Sequence, residues 1–186
     1  MVSRKTRTGE LQTFSHSPAS SLSMSVWPLL ADPYERLWVE VRQSTITGGG
    51  DGLFARKDVP AETVVSFYHG LVIRPGEEVE ADSSNNQYDY MIFLDWNNTD
   101  HSHSLDVPPQ YWSHQDYRAS LAHKANHSFE PNCGFRRFQH PRFGLGCLAI
   151  TTFKTIRAGE EIFVNYRYSP DSAPVWFSHM IWNMIN

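Results

Sequence analysis

The sequence predicts a mostly β fold with one C-terminal helix. Short segments rich in Val, Ile, Phe and Tyr recur along the chain, and clusters of Gly, Pro, Asn, Asp and Ser punctuate them. A helix is expected at the end of the chain, and no internal repeat is present. Hydrophobic residues make up 40% and aromatics 13% of the 186 residues, enough to build one core and too many for a disordered chain.

Residues 1–25 carry many Ser and Thr and almost no large apolar residues, so they are expected to be a disordered tail, with a single domain over 26–186. Order is expected to begin at VWPLLADPYE, with Trp27, Leu29 and Leu30 tucked against the domain. LWVEVRQS (37–44) alternates and predicts a strand. Four glycines follow in five positions, 48–52. ETVVSFYHG and LVIR predict two strands joined near Gly70, and EEVEADSSNNQ (77–87) an acidic loop. YDYMIFLD predicts a strand, and CGFRRFQH with LGCLAITTF a hairpin around PRFG. IRAGEEIFVNYRY gives a glycine turn and a short strand. Pro174 suits the first turn of a terminal helix, and the scatter of apolar residues after it predicts burial on several sides.

A net charge of −4 and a pI near 6.1 argue against a duplex-binding protein and fit a basic partner such as a lysine-rich tail. Two cysteines, Cys133 and Cys147, make no disulfide framework, so a reducing compartment is expected. No apolar run approaches the roughly 18 residues of a membrane span, and no signal peptide is evident after the basic Arg4, Lys5 and Arg7.

The densest concentration of functional groups is HKANHSFEPNC (123–133). His123 and His127 have the i, i+4 spacing of a zinc-binding helix, but Lys124 stands where a metalloprotease carries its glutamate, and a cation there repels a metal. Cys133 as a nucleophile lacks an evident base, and a buried structural cysteine is the commoner case. A polar loop pinned by Asn132 is a purely structural reading. The remaining one is a fixed loop in which Asn126 and His127 present polar groups to a ligand. Three features accompany it: GGGDGLF, where glycines let backbone approach a ligand closely; FYHG, ending in Tyr68; and GEEIFVNYRY, whose Tyr166 and Tyr168 project to one side of a strand. GGGDGLF is not a P-loop and lacks the strand–turn–helix context of a dinucleotide site.

Taken together and in order, these motifs resemble the SET domain of protein lysine methyltransferases. LLADPYE, GDGLFARKDV, TVVSFYHG, LDVPPQY, ASLAHKANHSFEPNC and HPRFG are similar to its MORN-repeat branch, known for monomethylating lysine-4 of histone H3. The resemblance runs from about Leu29 onward. It departs in lacking MORN repeats before the domain, in a longer segment around 81–104, and in Phe135, which stands where the monomethylating relative has a tyrosine.

The resemblance implies short curved sheets, a pseudoknot formed by the asparagine–histidine segment, and the terminal helix closing the site in place of a cysteine-rich zinc module. It implies S-adenosylmethionine as cofactor, held by Gly49, Gly50, Asp51, Gly52, Lys124, Asn126 and His127, with Trp176 stacked on the adenine. The substrate lysine is implied to enter from the opposite face. Tyr166 is the implied catalytic tyrosine, Tyr68 and Tyr168 line the channel, and Phe135 lies near its end. Glu80, Tyr90, Met91, Arg167, Tyr166 and Tyr168 are implied to contact the substrate. Glu77, Glu78, Glu80 and Asp82 are also readable as a plain solvated loop. No metal enters the reaction. Histone tails and other lysine-bearing proteins are the expected substrates of a monomer in the nucleus or cytoplasm, associated with chromatin, contacting neither membrane nor nucleic acid directly. The alternatives are an inactive SET domain that only binds proteins, and a metal-binding protein. Retention of Tyr68, Asn126, His127 and Tyr166 argues against the first.

Overall fold

A computed structural model describes residues 2–5, 11–14, 29–73, 90–93, 104–139 and 146–167. Among them the fold is strands, turns and very little helix. Trp27, the acidic run 77–87 and the expected terminal helix fall outside the described residues.

The first described element pair was not expected. Strands β1 (Val2–Lys5) and β2 (Leu11–Phe14) form an antiparallel ribbon within the segment read as disordered. A two-stranded ribbon without a third strand is marginal on its own in water.

The domain proper is entered through a polar anchor rather than through Leu29 and Leu30, which are exposed. Asp32 Oδ1 accepts the Tyr34 and Glu35 amides, turning the chain into the four-residue helix α1 (Glu35–Trp38). Tyr34 and Trp38 bury their rings, and Glu35 goes fully inside. Glu35 Oε1 accepts bonds from Ser66 Oγ at 2.7 Å, from Phe67 N at 2.6 Å and from Leu121 N at 3.3 Å. Burial, reinforced by the nearby Asp32 carboxyl, holds the Glu35 carboxyl well above the usual carboxylate range.

The glycine-rich run is the loop of a hairpin. Strand β3 (Val39–Gln43) pairs antiparallel with β4 (Asp51–Ala55), from Val39 opposite Ala55 to Gln43 opposite Asp51. β3 lies within the expected strand, but its burial falls from Val39 to an exposed Arg42 and Gln43 as a gradient rather than by alternation, and Leu37 and Trp38 belong to α1. β4 carries Leu53, Phe54 and Ala55 into the core, a strand that the glycines obscured in the sequence. β5 (Val64–Tyr68) is buried along most of its length because it is paired with β11 (Gly146–Thr152) while α1 covers it. The predicted late hairpin is present as β10 (Cys133–Gln139) and β11 (Gly146–Thr152), giving the sheet order β10–β11–β5. β6 (Leu71–Ile73) does not pair with β5. It joins β8 (Ser104–Asp106) and β7 (Ile92–Phe93) in a separate sheet.

Two short strands tie the sheets together. β9 is Asn126–His127 and β12 is Phe163–Val164, and they pair in parallel, Asn126 opposite Phe163 and His127 opposite Val164. The motif read as a loop is therefore a strand. Asn132 fixes the crossing by donating from Nδ2 to the Glu161 carbonyl at 2.8 Å and accepting the Phe163 amide on Oδ1 at 2.8 Å. Residues far apart in sequence are thus held side by side, as the pseudoknot of the resemblance requires. The core gathers Leu53, Val65, Phe67, Leu148, Ile150, Ile156, Ile162 and Val164 beneath this crossing.

Candidate active site

The site grows from three segments: the β3–β4 loop, the 121–127 segment and the stretch after β12 that carries Tyr166, which is not itself in a strand as expected. In the loop, Gly48 and Gly50 take left-handed φ values of +77° and +62°, with nothing within 4 Å of where a side chain would stand. The loop is closed by the Ser44 amide and Gln43 Nε2, both donating to the Gly50 carbonyl at 2.8 and 3.0 Å. Gly52 is required for a different reason. A Cβ there would lie 2.3 Å from Glu161 Oε1 and 3.1 Å from the Phe54 ring. Gly52→Ala is expected to cost about 1–3 kcal/mol of stability through overpacking, measured by urea unfolding, and to distort the loop.

Asn126 is the strut between loop and strand. Its Nδ2 lies 3.0 Å from Ser44 Oγ, 3.0 Å from the Asp51 carbonyl and 3.1 Å from Glu161 Oε1. His127, 2% exposed, accepts the Tyr166 amide on Nδ1 at 3.1 Å, and burial lowers its pKa, which keeps the ring neutral and able to accept. Its ring lies 5.5 Å from that of Tyr166 and edge-on to Phe129 at 4.9 Å. The asparagine–histidine pair thus organises the loop on one side and the Tyr166 segment on the other. Tyr166 Oη donates to the Ala125 carbonyl at 2.8 Å, so the hydroxyl is fixed beside the same segment.

A second group is aromatic. Tyr68 and Phe135 meet edge to face at 5.9 Å and 76°. Tyr68 donates from Oη to the Tyr90 carbonyl at 2.5 Å. His123 packs against Tyr68 and Tyr90, at 6.5 and 5.5 Å, and Tyr90 stacks at an angle on Trp112 at 5.3 Å. Trp112 is itself held by an Nε1 bond to the Val107 carbonyl at 2.6 Å. Burial, with the Lys124 ammonium adding to it, pushes His123 down to about 3, so its ring is a neutral wall.

Lys124 links the two groups. It is 6% exposed, with Nζ 3.3 Å from Asp51 Oδ2 and 5.5 Å from the centre of the Tyr90 ring. Burial lowers its pKa while Asp51 opposes that shift. Asp51 also bonds His114 Nδ1 at 3.0 Å. Burial disfavours the Asp51 carboxylate, but His114 and Lys124 outweigh it and hold the pKa below the usual range.

The structure therefore brings together Gly49, Gly50, Asp51, Gly52, Lys124 and Asn126, links Tyr166 to His127, and gathers Tyr68, Tyr90 and Phe135. Met91 is half-buried beside Tyr90. Arg167 is exposed and takes a left-handed φ of +58°, with its amide donating to Asn165 Oδ1 at 2.7 Å. Glu80, Tyr168 and Trp176 lie outside the described residues. Cys133 is 0% exposed, and burial pushes its thiol far up, which removes it as a nucleophile. Among the described residues, no three His, Cys, Asp or Glu side chains converge as metal ligands, and no helix is long and apolar enough to cross a membrane. Sequence reasoning missed Glu161, Ser44, Thr45, His114 and Trp112. In sequence Glu161 is one of a surface-like acidic pair, GEE, which does not tell which glutamate turns inward.

Comparison with known proteins agrees with this geometry. The SET domain family matches residues 50–167, more than half of the chain. A histone-lysine N-methyltransferase SETD7 from Halocynthia roretzi is 36% identical over 166 residues, covering 85% of this chain and 41% of that protein. A histone-lysine N-methyltransferase EZA1 from Arabidopsis thaliana is 30% identical over 147 residues, covering 76% of this chain and 15% of that protein. The chain thus spans less than half the length of either relative. A crystal structure of KRYPTONITE in complex with mCHH DNA, an H3(1-15) peptide and SAH superposes with a TM-score of 0.50 at 21% identity, covering 74% of this chain and 25% of that one, which supports the fold. With the glycine loop, the asparagine–histidine strand and the Tyr166 segment arranged as described, the chain belongs to the SET-domain family.

Proposed function

We propose that the protein is an S-adenosylmethionine-dependent protein-lysine N-methyltransferase. The observation that carries this reading is the joining of loop and tyrosine by one motif: Asn126 bonds the glycine loop while the adjacent His127 bonds the Tyr166 amide. The relatives named as histone-lysine methyltransferases support histones as substrates. On the resemblance of the motifs alone, lysine-4 of histone H3 is the first site we propose and non-histone lysines the second, in a chromatin-associated setting.

The residues present fit the cofactor. The left-handed Gly48 and Gly50 leave open space at the loop, and Asp51 and Lys124 offer opposite charges beside it, suited to an amino-acid zwitterion. When bound, S-adenosylmethionine supplies a methyl already activated on a cationic sulfonium. The protein's task is then alignment. A free lysine has a pKa of about 10.4, so the channel must favour the neutral amine. Tyr68, Tyr90, Phe135 and Trp112 form an aromatic wall, and an amine desolvated against it loses its proton more readily. The Tyr166 hydroxyl, held next to Ala125, orients the amine. Carbonyl oxygens such as that of Ala125 can hold the methyl through weak C–H···O contacts. Glu80 and its acidic neighbours would recognise a basic residue before the target lysine, with Tyr168 lining the channel and Trp176 packing on the adenine.

The reading is tested by transfer of labelled methyl from S-adenosylmethionine into a histone mixture and into lysate proteins. Incorporation that depends on the folded protein supports it; absence of incorporation by protein that binds the cofactor would favour the inactive, protein-binding SET domain. His127→Ala is expected to weaken cofactor affinity by about tenfold, as loss of a buried hydrogen-bonding group can, while chelators leave activity intact. Calorimetry and an assay with a chelator check both. Activity lost on chelation and restored by zinc would point to a metal site instead.

A further inference from the structure

We propose that Glu161 is a positioning residue: its buried carboxylate clamps the cofactor loop onto the segment that carries Tyr166, so that one side chain sets both halves of the site. The inference rests on the methyltransferase reading above and deepens it.

Glu161 is 5% exposed and both of its oxygens are fully used. Oε1 accepts from Ser44 Oγ at 2.7 Å and lies 3.1 Å from Asn126 Nδ2. Oε2 accepts from the Thr45 amide at 2.8 Å and from Thr45 Oγ1 at 2.5 Å. Every donor on the loop side comes from Ser44 and Thr45, at the root of the glycine loop. The same residue holds the strand side through its backbone. Its carbonyl accepts Asn132 Nδ2, it forms a β-bridge with Phe54, and the next amide, Ile162 N, donates to the Leu53 carbonyl at 2.7 Å. Two residues on, β12 begins, and five residues on stands Tyr166.

The carboxylate is matched to donors only. Its four contacts are two hydroxyls, a backbone amide and a side-chain amide nitrogen. A burial this complete is costly for a charge unless hydrogen bonds replace its water, and these bonds do so. Their number exceeds what a turn needs. The neighbouring turn is closed without it: the Glu160 carboxylate accepts the Arg157 amide and the Asp58 carboxylate the Ala158 amide, each at 2.9 Å. Gly52 has no side chain because one would strike Glu161 Oε1, which links the glycine pattern of the loop to this carboxylate. The glycines give the loop little stiffness, and its own bonds to the Gly50 carbonyl close it without attaching it to the Tyr166 segment; Glu161, with Asn126, supplies that attachment.

The test is Glu161→Gln. Glutamine keeps the volume but turns one acceptor into a donor facing either Thr45 or the Ser44–Asn126 pair, so one half of the clamp opens. Titration calorimetry with S-adenosylmethionine and with S-adenosylhomocysteine is expected to show affinity reduced by about tenfold, the scale of a lost bond to a charged group. In steady state, KM for the cofactor rises by a similar factor while KM for a histone peptide changes by less than about twofold. A merely structural role would lower active protein without this split. Hydrogen exchange of the ligand-free protein is expected to quicken at 44–52 and remain unchanged in β10 and β11. Should Glu161→Gln fail to fold, the double variant Ser44→Ala with Thr45→Val opens the clamp from its more exposed side and must give the same exchange and affinity changes. Unaltered cofactor affinity and unaltered exchange at 44–52 in folded variants would overturn the clamp. Wild-type protein that binds no cofactor, with faster loop exchange in the variant, would overturn the methyltransferase reading and leave the clamp standing.

Discussion

Replacing Tyr166 with phenylalanine is expected to lower the rate of methyl transfer by at least about 100-fold, the scale set by loss of alignment at a reacting centre, while cofactor affinity stays within about twofold. The hydroxyl donates to the Ala125 carbonyl at 2.8 Å and the amide donates to His127. The substitution removes the first contact and leaves the second. The ring keeps its packing against the core and against His127, so the cost in stability is about 1 kcal/mol, that of one hydrogen bond. The loop over Gly48–Gly52 is braced by Asn126 and, through Ser44 and Thr45, by Glu161, bonds that the substitution leaves in place, which is why binding should survive. Single-turnover kinetics with the cofactor saturating separates the two effects. Turnover equal to wild type would remove Tyr166 from the mechanism.

The second large effect concerns how many methyls are added. Phe135 stands edge-on to Tyr68 at 5.9 Å, within the aromatic group that also holds Tyr90 and His123. A tyrosine at 135 would add a hydroxyl in this wall, able to bond the target amine and to leave a methylated amine no room to turn. Phenylalanine vacates about the space of one water, ~30 Å³. The wild-type protein is therefore expected to reach dimethyl-lysine, with Tyr68 limiting the third methyl, and Phe135→Tyr to stop at monomethyl-lysine. An extended reaction on one peptide, resolved by mass, compares them. Both proteins stopping at monomethyl-lysine would sink the idea, and the limiting role would then fall to another aromatic such as Tyr168.

The strands at 37–44, 62–70 and 133–153 were legible because alternation and turn residues mark half-buried strands, and β3, β5, β10 and β11 occupy those stretches. Shorter elements were not. Helix α1 has four residues and β9 two, too few for any period to register. β9 exists only because β12 supplies its partner 37 residues later, from Asn126 to Phe163. Leu29 and Leu30 misled because apolar character fixes a preference for burial and not a location. The anchor there is Asp32 with Glu35, whose partners Ser66, Phe67 and Leu121 are remote in sequence.

The candidate site was legible through motif order, and its local chemistry much less so. Asn126 and His127 looked like groups offered to a ligand. In the fold their side chains reach the Asp51 carbonyl and the Tyr166 amide, so they act first as braces. Lys124 carried no sign that its ammonium is buried between Asp51 and Tyr90. Glu161 was hidden in a surface-like acidic pair, and only the three-dimensional meeting of Ser44, Thr45, Asn126 and Gly52 around it discloses its position.

The most direct test uses S-adenosylmethionine carrying a deuterated methyl, wild-type protein and Tyr166→Phe side by side, and tandem mass spectrometry of a histone mixture. The account predicts labelled methyl on a lysine side-chain nitrogen with wild type, foremost lysine-4 of histone H3, and almost none with Tyr166→Phe. Label found on no lysine with folded, cofactor-binding wild-type protein, or found equally with both proteins, would contradict it.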